Sequence, residues 1–272
     1  MKLIYDVGAH QGEDTDFYLK KGFRVVAVEA NPNLAQGIRE RFGDAVASKR
    51  LIVVQSAVAE RDGEIEFFLN TSTVWGTIHE SWADRNAKLG AASIKTKVQA
   101  LRFEQILRSH GVPYYLKVDI EGADMLCVRA LKHFEQRPTF ISIESNKTSW
   151  RELVAEFDEM ERLGYKRFKV VDQSKIQTQC EPLVAREGIS AHHRFAEGST
   201  GLFGSELDGP WISARRAKWH YAFIFLQYRF FGDNAIGEKW ARRLPWRIAR
   251  HLIPNWYDTH AVHSSIIASL PS

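Results

Sequence analysis

The amino-acid sequence predicts an α/β protein with a mostly parallel β-sheet and helices on both of its faces. Short apolar runs alternate with amphipathic segments through the first two thirds of the 272 residues. The first apolar run ends in a glycine-rich turn that opens a helix. Repeated strand–helix units of this length favour parallel strands joined by right-handed crossovers.

The predicted strands are short, largely apolar runs, as expected for strands that are buried on both faces. They are residues 3–7, 23–28, 51–54, 64–69, 114–119, 138–144 and 166–172. The predicted helices carry apolar residues at three- and four-residue spacing. They cover residues 13–21, 31–42, 101–109, 124–133 and 153–164. Residues 174–209 have a weaker pattern, and a last strand is expected near them.

A change in composition at Pro210 divides the chain into two predicted parts. Residues 1–209 form an α/β domain, and residues 210–272 form a C-terminal helical appendage. Between Trp211 and His251, nine Lys or Arg residues accompany two acidic ones. The two cysteines match no metal-ligand spacing, and the longest apolar run is shorter than the roughly 20 residues of a membrane-spanning helix. With no leader-like segment before the first strand, these features predict a cytoplasmic protein.

The turn after the first strand reads Asp6-Val-Gly8-Ala-His-Gln-Gly12. Glycines here let a ligand approach the backbone closely, and the helix amino end presents free N–H groups. The turn lacks the third glycine of the dinucleotide fingerprint, which disfavours a pyrophosphate. A ligand with a carboxylate and an ammonium group suits it better, with Asp6 holding the cation and the helix end the anion. Glu29, after the second strand, can accept both hydroxyls of a ribose.

Four segments together resemble the FkbM family of methyltransferases. They are the turn at 6–12, Glu-Ala-Asn-Pro at 29–32, Ser-Ala-Val at 56–58 with Asp-Gly at 62–63, and Leu-Lys-Val-Asp-Ile-Glu-Gly at 116–122. The resemblance covers about residues 1–172 and leaves out the C-terminal tail. It implies a seven-stranded, Rossmann-like class I methyltransferase fold with S-adenosylmethionine as cofactor. It further implies O-methylation of a sugar or natural-product hydroxyl.

The expected cofactor site combines the turn, the end of the second strand and the loop after the third strand. The resemblance implies that Ser56 and Ala57 line the adenine. The cofactor-binding residues predicted in this way are Asp6, Gly8, Ala9, His10, Gly12, Glu29, Ala30, Asn31, Ser56, Ala57 and Asp119. Residues 1–209 are accordingly the predicted catalytic domain.

The predicted chemical centre lies at the carboxyl ends of the fourth and fifth strands, because ligands of open α/β sheets bind at that edge. In one interpretation Asp119 or Glu121 is the base that takes the acceptor's proton, with His10 at the same rim. In another, Asp119 and Glu144 bind Mg²⁺ through hard oxygen ligands. A structural alternative is that Glu121 caps the following helix and that Glu144 pairs with Lys147 or Arg151.

Two further segments have open interpretations. Trp75, His79, Glu80 and Trp82 either form a lid over the acceptor or pack on the domain, whereas His192 and His193 are predicted to be loop residues. The aromatic and basic tail either packs on the core or forms a homodimer contact, or else lies on an anionic membrane. Nucleic acid is the least favoured partner.

These observations predict an S-adenosylmethionine-dependent O-methyltransferase for a small-molecule acceptor, namely a sugar or a glycosylated compound. One alternative is a methyltransferase for a lipid-linked glycan at a membrane surface. The other is a non-catalytic, membrane-associated protein that retains the cofactor fold.

Overall fold

The structure, a computed structural model, describes six parts of the chain. These are residues 1–70, 93–120, 122–146, 149–196, 198–231 and 255–269. The segment from Trp75 to Trp82, Glu121, Lys147 and residues 232–254 of the tail lie outside the described residues.

The strands and helices follow the predicted order along most of the chain. The strands are β1 (Leu3–Val7), β2 (Arg24–Glu29), β3 (Leu51–Gln55), β4 (Ala57–Val58), β5 (Gly63–Asn70), β6 (Ser93–Leu101), β7 (Tyr115–Val118), β8 (Phe140–Glu144), β9 (Tyr165–Asp172) and β10 (Tyr257–His263). The α-helices are α1 (Glu13–Lys20), α2 (Pro32–Arg41), α3 (Gly43–Ala47), α4 (Phe103–His110), α5 (Asp124–Ala130), α6 (Trp150–Arg162) and α7 (Ala214–Phe231).

The central sheet has seven strands in the order β3-β2-β1-β7-β8-β10-β9. In this sheet the neighbouring strands β3, β2, β1, β7 and β8 pair in parallel, and β10 is antiparallel to both of its neighbours, β8 and β9. The predicted mostly parallel, seven-stranded, Rossmann-like sheet is therefore confirmed. In such a sheet the carboxyl ends of β1, β2, β7 and β8 share one edge, which is the edge that positions the site.

The strand β10 comes from the C-terminal tail, although the last strand was expected near residues 174–209. Thr259 pairs with Ile143 on one side and Val170 on the other. Within the described residues of 174–209 there is no strand. The polar residues of β10, of which Thr259 and His260 are buried, conceal it from a search for apolar runs. The compositional boundary at Pro210 therefore does not separate the sheet from the tail.

The two faces of the sheet are covered by separate apolar clusters. In β1, Tyr5 and Val7 face a cluster that includes residues of α4, α5, α6 and α7, whereas Ile4 faces a cluster that includes α1 and α2. The segment between β9 and α7 joins the second cluster through Phe203, whose ring stacks on Tyr115 at 4.4 Å between centroids. Helices on both faces are thus confirmed.

A small second sheet stands beside the central one. Its order is β4-β6-β5, with β5 and β6 forming an antiparallel pair over eight residue positions. Phe67 and Val98 bury its inner face together with alanines of β4 and β6. This sheet lies next to the loop that follows β3, so it forms one wall of the region near the predicted adenine site.

Candidate functional site

The turn between β1 and α1 is fixed against the ends of two neighbouring strands. Gly8 and Ala9 donate their amides to the Val28 carbonyl at 2.9 and 3.1 Å. Gly8 has a φ of +79°, and a Cβ there would lie 1.9 Å from the Asp119 carbonyl oxygen. Only glycine fits such a close approach between two backbones. The sequence thus places a tightly packed glycine turn at the carboxyl edge of the sheet.

The rest of the turn also depends on left-handed backbone conformations. His10 has a φ of +49° and Gly12 a φ of +82°. A Cβ on Gly12 would lie 2.7 Å from the Phe42 ring. His10 keeps its conformation with the help of Glu13, whose Oε1 is 3.0 Å from the imidazole Nδ1. The predicted catalytic residue His10 is therefore at the rim, in contact with the first turn of α1.

Glu29 stands beside the turn, as predicted. Its Oε2 accepts the His10 amide and its Oε1 accepts the Asn31 amide, both at 2.8 Å. Burial raises the pKa of Glu29, while these two amides oppose the shift. A carboxylate has about four acceptor positions, and these two amides occupy two of them. The side chain of Asn31, in contrast, caps α2 by accepting the Asn33 amide at 3.0 Å.

Asp6 lies beneath the turn instead of facing the rim. It is completely buried, and its oxygens meet the Lys117 ammonium at 3.1 Å and the Thr15 hydroxyl at 2.6 Å. The cation next to Asp6 is therefore the ammonium of Lys117. The expected contact between Asp6 and the ammonium group of a ligand is not provided by this geometry. Lys117, whose direction the sequence left open, also donates to the Gly8 carbonyl at 2.9 Å.

A second buried carboxylate, Asp14, completes this ion cluster. Its Oδ2 is 3.8 Å from the Lys117 ammonium, and both of its oxygens accept the Thr200 amide at 3.0 Å. Burial raises the pKa of Asp14 to about 7, although Lys117 opposes the shift. Burial also disfavours the charge of Lys117, but Asp6, Asp119 and Asp14 outweigh it and raise the lysine pKa.

The first turn of α1 contains the acids Glu13, Asp14 and Asp16. Acidic side chains at a helix amino end interact favourably with the helix dipole. They therefore offset part of the positive field that was expected to hold a ligand carboxylate. A ligand anion at this helix end has to rely on backbone amides against three nearby protein carboxyl groups.

Ser56 and Ala57, which the resemblance assigns to the adenine, are both buried next to Glu29. The Ser56 amide donates to the Glu29 carbonyl at 3.0 Å, and its hydroxyl donates to the Ala57 carbonyl at 2.8 Å. Ala57 forms part of β4, and Ala30 packs against the same small cluster. These predicted residues are thus brought together along one side of the site.

The carboxyl ends of β7 and β8 gather acidic residues. Asp119 is exposed and Glu144 is half-buried, while Asp124 and Glu156 are buried. Burial, with the charges of Asp119 and Glu144, raises the pKa of Asp124 to about 7. Burial likewise raises the pKa of Glu156 to about 8, against the Asn146 amide. Asp124 and Glu156 were missed by the sequence reasoning, because acids in amphipathic helices usually face solvent.

The predicted metal site receives no support from the structure. Within the described part of the chain, no group of three or more His, Cys, Asp or Glu side chains is arranged to hold a metal ion. Asp119 and Glu144 stay at the same rim, but the buried neighbour Asp124 retains a proton more readily than an ordinary carboxyl.

A groove of about 1040 Å³ opens beside the site, between the small sheet and α5. Ala59, Ile65 and Met125 supply apolar surface, and charged side chains of both signs surround it. The charged lining includes Glu60, Arg61, Glu64, Glu66, Lys97 and Arg129. Gly122, which follows the Asp119 segment, is also part of the lining. A ligand in this groove would meet polar groups around an apolar floor.

The paired histidines of the later loop have structural surroundings. The His193 ring packs against Phe17 and Phe195, each at 5.1 Å between centroids. Its amide donates to Glu181 at 2.8 Å, and His192 is exposed. Both residues lie in a loop, as predicted.

A comparison with protein families matches the region that carries these features. The model of a protein family described as the methyltransferase FkbM domain matches residues 6–167, which is more than half of the chain. Over 59 residues the chain is 39% identical to a probable ribosomal RNA small subunit methyltransferase A of Haloarcula marismortui. This alignment covers 22% of the chain and 21% of that relative.

Two solved structures illustrate the structural similarity. A precorrin-6y C5,15-methyltransferase from Geobacter metallireducens has a TM-score of 0.35 at 14% identity, covering 63% of this chain and 68% of that one. An S-adenosyl-L-homocysteine complex of a SAM-dependent methyltransferase from Geobacter sulfurreducens has a TM-score of 0.36 at 10% identity. It covers 96% of this chain and 83% of that one.

Proposed function

Because the chain belongs to the FkbM family of methyltransferases, we propose that it transfers a methyl group from S-adenosylmethionine to a hydroxyl group. The acceptor is a sugar or a glycosylated small molecule. The observation that carries the proposal is the glycine turn from Gly8 to Gly12 beside Glu29, at the carboxyl edge of the sheet. Two of the glycines are sterically required there, and Glu29 keeps acceptor positions for two hydroxyls.

The residues of this edge fit the cofactor in three ways. The backbone of residues 8–12 offers the close approach, Glu29 accepts the ribose hydroxyls, and Ser56 with Ala57 borders the base. Asp119, whose carboxyl is exposed at the end of β7, adds negative charge near a cationic sulfonium. When bound, the cofactor supplies an electrophilic methyl group. Lys117 and Asp6 act from below as positioning residues, since Lys117 holds the Gly8 carbonyl.

The chain's contribution to the reaction is to align the acceptor and to receive its proton. A hydroxyl is a weak nucleophile at neutral pH and needs a base within hydrogen-bonding reach. Asp119 is the base favoured by its exposure at the rim and by its position next to the glycine turn. Glu121 and His10 remain further candidates for this step. Correct alignment of the two reactants supplies much of the remaining acceleration.

The polarity of the rim and the groove supports the proposed acceptor class. Carboxyl groups at the ends of β7 and β8 accept hydrogen bonds from several hydroxyls of one molecule. The neighbouring groove combines the apolar Met125 and Ile65 with charged residues of both signs. A polyhydroxylated ring, which has polar edges and an apolar face, matches these surroundings.

The test combines cofactor binding with turnover. Calorimetric titration with S-adenosylmethionine should show binding, and a panel of sugars and glycosides should then yield S-adenosylhomocysteine. The substitution Asp119→Ala should abolish turnover while the thermal unfolding curve stays unchanged. Near-normal turnover in that variant would exclude Asp119 as the base. Cofactor binding without turnover on any hydroxyl acceptor would favour the non-catalytic alternative.

A further inference from the structure

The helix α7 is apolar on two opposite faces. One face buries Ala217, Tyr221 and Ile224 against the domain. The Tyr221 hydroxyl is 2.8 Å from the Thr259 hydroxyl of β10, which fixes the rotation of the helix. The other face therefore has a defined direction, and it points away from the protein core.

The outward face presents a row of large apolar side chains to solvent. Trp219, Phe223 and Leu226 are 70%, 59% and 51% exposed, and their spacing of four and three residues places them on one line. We call these three residues the α7 stripe. A contiguous exposed apolar patch of this kind marks an interaction surface on an otherwise polar protein.

The exposed charged residues of α7 itself have one sign. The helix has no Asp or Glu in its sequence, and Arg215, Arg216 and Arg229 are exposed around the stripe. The lysine of the helix, Lys218, is turned toward the domain, and its ammonium pairs with the Asp158 carboxylate at 2.8 Å. An aromatic and aliphatic stripe bordered by arginines is the arrangement of helices that lie in the interface of anionic membranes.

The carboxyl end of α7 lies near the edge of the sheet that holds the site. The helix runs antiparallel to α6, since Phe225 contacts Trp150 at 5.6 Å and Tyr221 contacts Phe157 at 5.9 Å between ring centroids. Trp150 begins α6 a few residues after β8 ends at Glu144. A surface that binds the α7 stripe is therefore brought close to the acceptor rim.

We propose that the α7 stripe docks on the surface of an anionic lipid bilayer, with Arg215, Arg216 and Arg229 contacting lipid phosphates. Trp219 and Phe223 enter the headgroup region. A bilayer suits this surface better than a second copy of the chain. A symmetric dimer through the same face would bring the arginines of both copies into one interface. This docking is independent of methyl transfer, so it can fail or succeed without deciding the proposed function.

The test is cosedimentation of the full chain with vesicles of phosphatidylcholine, with and without phosphatidylglycerol. The chain should bind the vesicles that contain phosphatidylglycerol, and increasing salt should weaken the binding. A triple variant, Trp219→Ser, Phe223→Ser and Leu226→Ser, should lower the bound fraction roughly tenfold or more. Because the three side chains are exposed, the variant should keep the thermal stability of the unchanged protein.

A matched control removes three exposed apolar residues elsewhere. Leu183→Ser, Val184→Ser and Ile189→Ser change side chains that are at least as exposed as Leu226, and binding should not change. Equal binding of the α7 variant and the unchanged chain would overturn the proposal, as would equal binding to vesicles with and without phosphatidylglycerol. Light scattering that shows a dimer lost only in the α7 variant, without vesicle binding, would assign the stripe to a second copy.

Discussion

The substitution Lys117→Met tests the buried ion cluster beneath the glycine turn. Lys117 is almost completely buried, with its ammonium 3.1 Å from Asp6 and 3.8 Å from Asp14. Methionine has a similar length but no charge. The variant leaves two carboxyl groups in a region of low polarity and removes the hydrogen bond to the Gly8 carbonyl.

The expected loss of unfolding free energy is about 3–5 kcal/mol, the usual result of removing one partner from a buried ion pair. The loss should depend on pH because the folded pKa of Asp14, about 7, is raised above its ordinary value of 3.8. Between these two values the folded protein binds a proton that the unfolded chain releases, so stability falls as pH rises. Without Lys117 the folded pKa of Asp14 rises further, so the pH range over which stability falls extends above pH 7. In that range the loss of unfolding free energy caused by the substitution should grow by up to about 1.4 kcal/mol per pH unit.

Urea unfolding of both proteins at about pH 6 and about pH 8 measures this difference. Lys20→Met is a matched control, because Lys20 is half-exposed and pairs with Asp16 at the protein surface. Its effect should be below about 1 kcal/mol. Adding Asp6→Asn to Lys117→Met should restore part of the lost stability. A loss below about 1 kcal/mol at the higher pH, or no dependence on pH, would contradict the assigned role of Lys117.

Three further predictions concern the cofactor turn. Gly8→Ala should destabilise the protein by more than about 2 kcal/mol and weaken cofactor binding, because its Cβ would meet the Asp119 carbonyl at 1.9 Å. Gly37→Ala, in open space on α2, should instead leave stability equal or raise it by about 0.5–1 kcal/mol in thermal unfolding. Glu29→Gln should lower calorimetric affinity for S-adenosylmethionine roughly tenfold with the fold retained, and unchanged affinity would exclude Glu29 as the ribose partner. Higher salt should weaken the binding of S-adenosylmethionine more than the binding of S-adenosylhomocysteine, because salt screens the attraction between the acidic rim and the sulfonium. An equal loss of affinity for both molecules would exclude this attraction.

Much of the central sheet could be predicted because its parallel strands are apolar on both faces. Three strands were not predicted, namely the two-residue β4 and the longer strands β6 and β10, which have other patterns. In β6 the residues Ile94, Val98 and Ala100 share alternate positions with Thr96, a period-two pattern that was present but overlooked. In β10 the Thr259 hydroxyl lies 2.6 Å from the Ser145 hydroxyl and 2.8 Å from the Tyr221 hydroxyl, and burial keeps His260 neutral by lowering its pKa to about 3. Such tertiary surroundings cannot be inferred from local sequence.

The same distinction holds for the site. The positions of Gly8, Gly12 and Glu29 were predictable, because they follow from local turn geometry and from the position of a strand end. The direction of Asp6 was not, because it depends on Lys117, more than one hundred residues away along the chain. Thr200, which donates its amide to Asp14 at 3.0 Å, is still more distant in sequence. Buried charges are decided by such tertiary partners, whereas backbone turns are decided locally.

The charges around the turn favour the proposed sulfonium cofactor over a dinucleotide at this edge. A pyrophosphate site relies on a helix amino end whose positive field is not offset. Here the first turn of α1 contains Glu13, Asp14 and Asp16, and the end of β7 adds the exposed Asp119. The surrounding carboxyl groups repel phosphate but attract a cation. Since methyl transfer removes the positive charge from the sulfur, the same carboxyl groups would hold the product less strongly than the substrate, which favours product release.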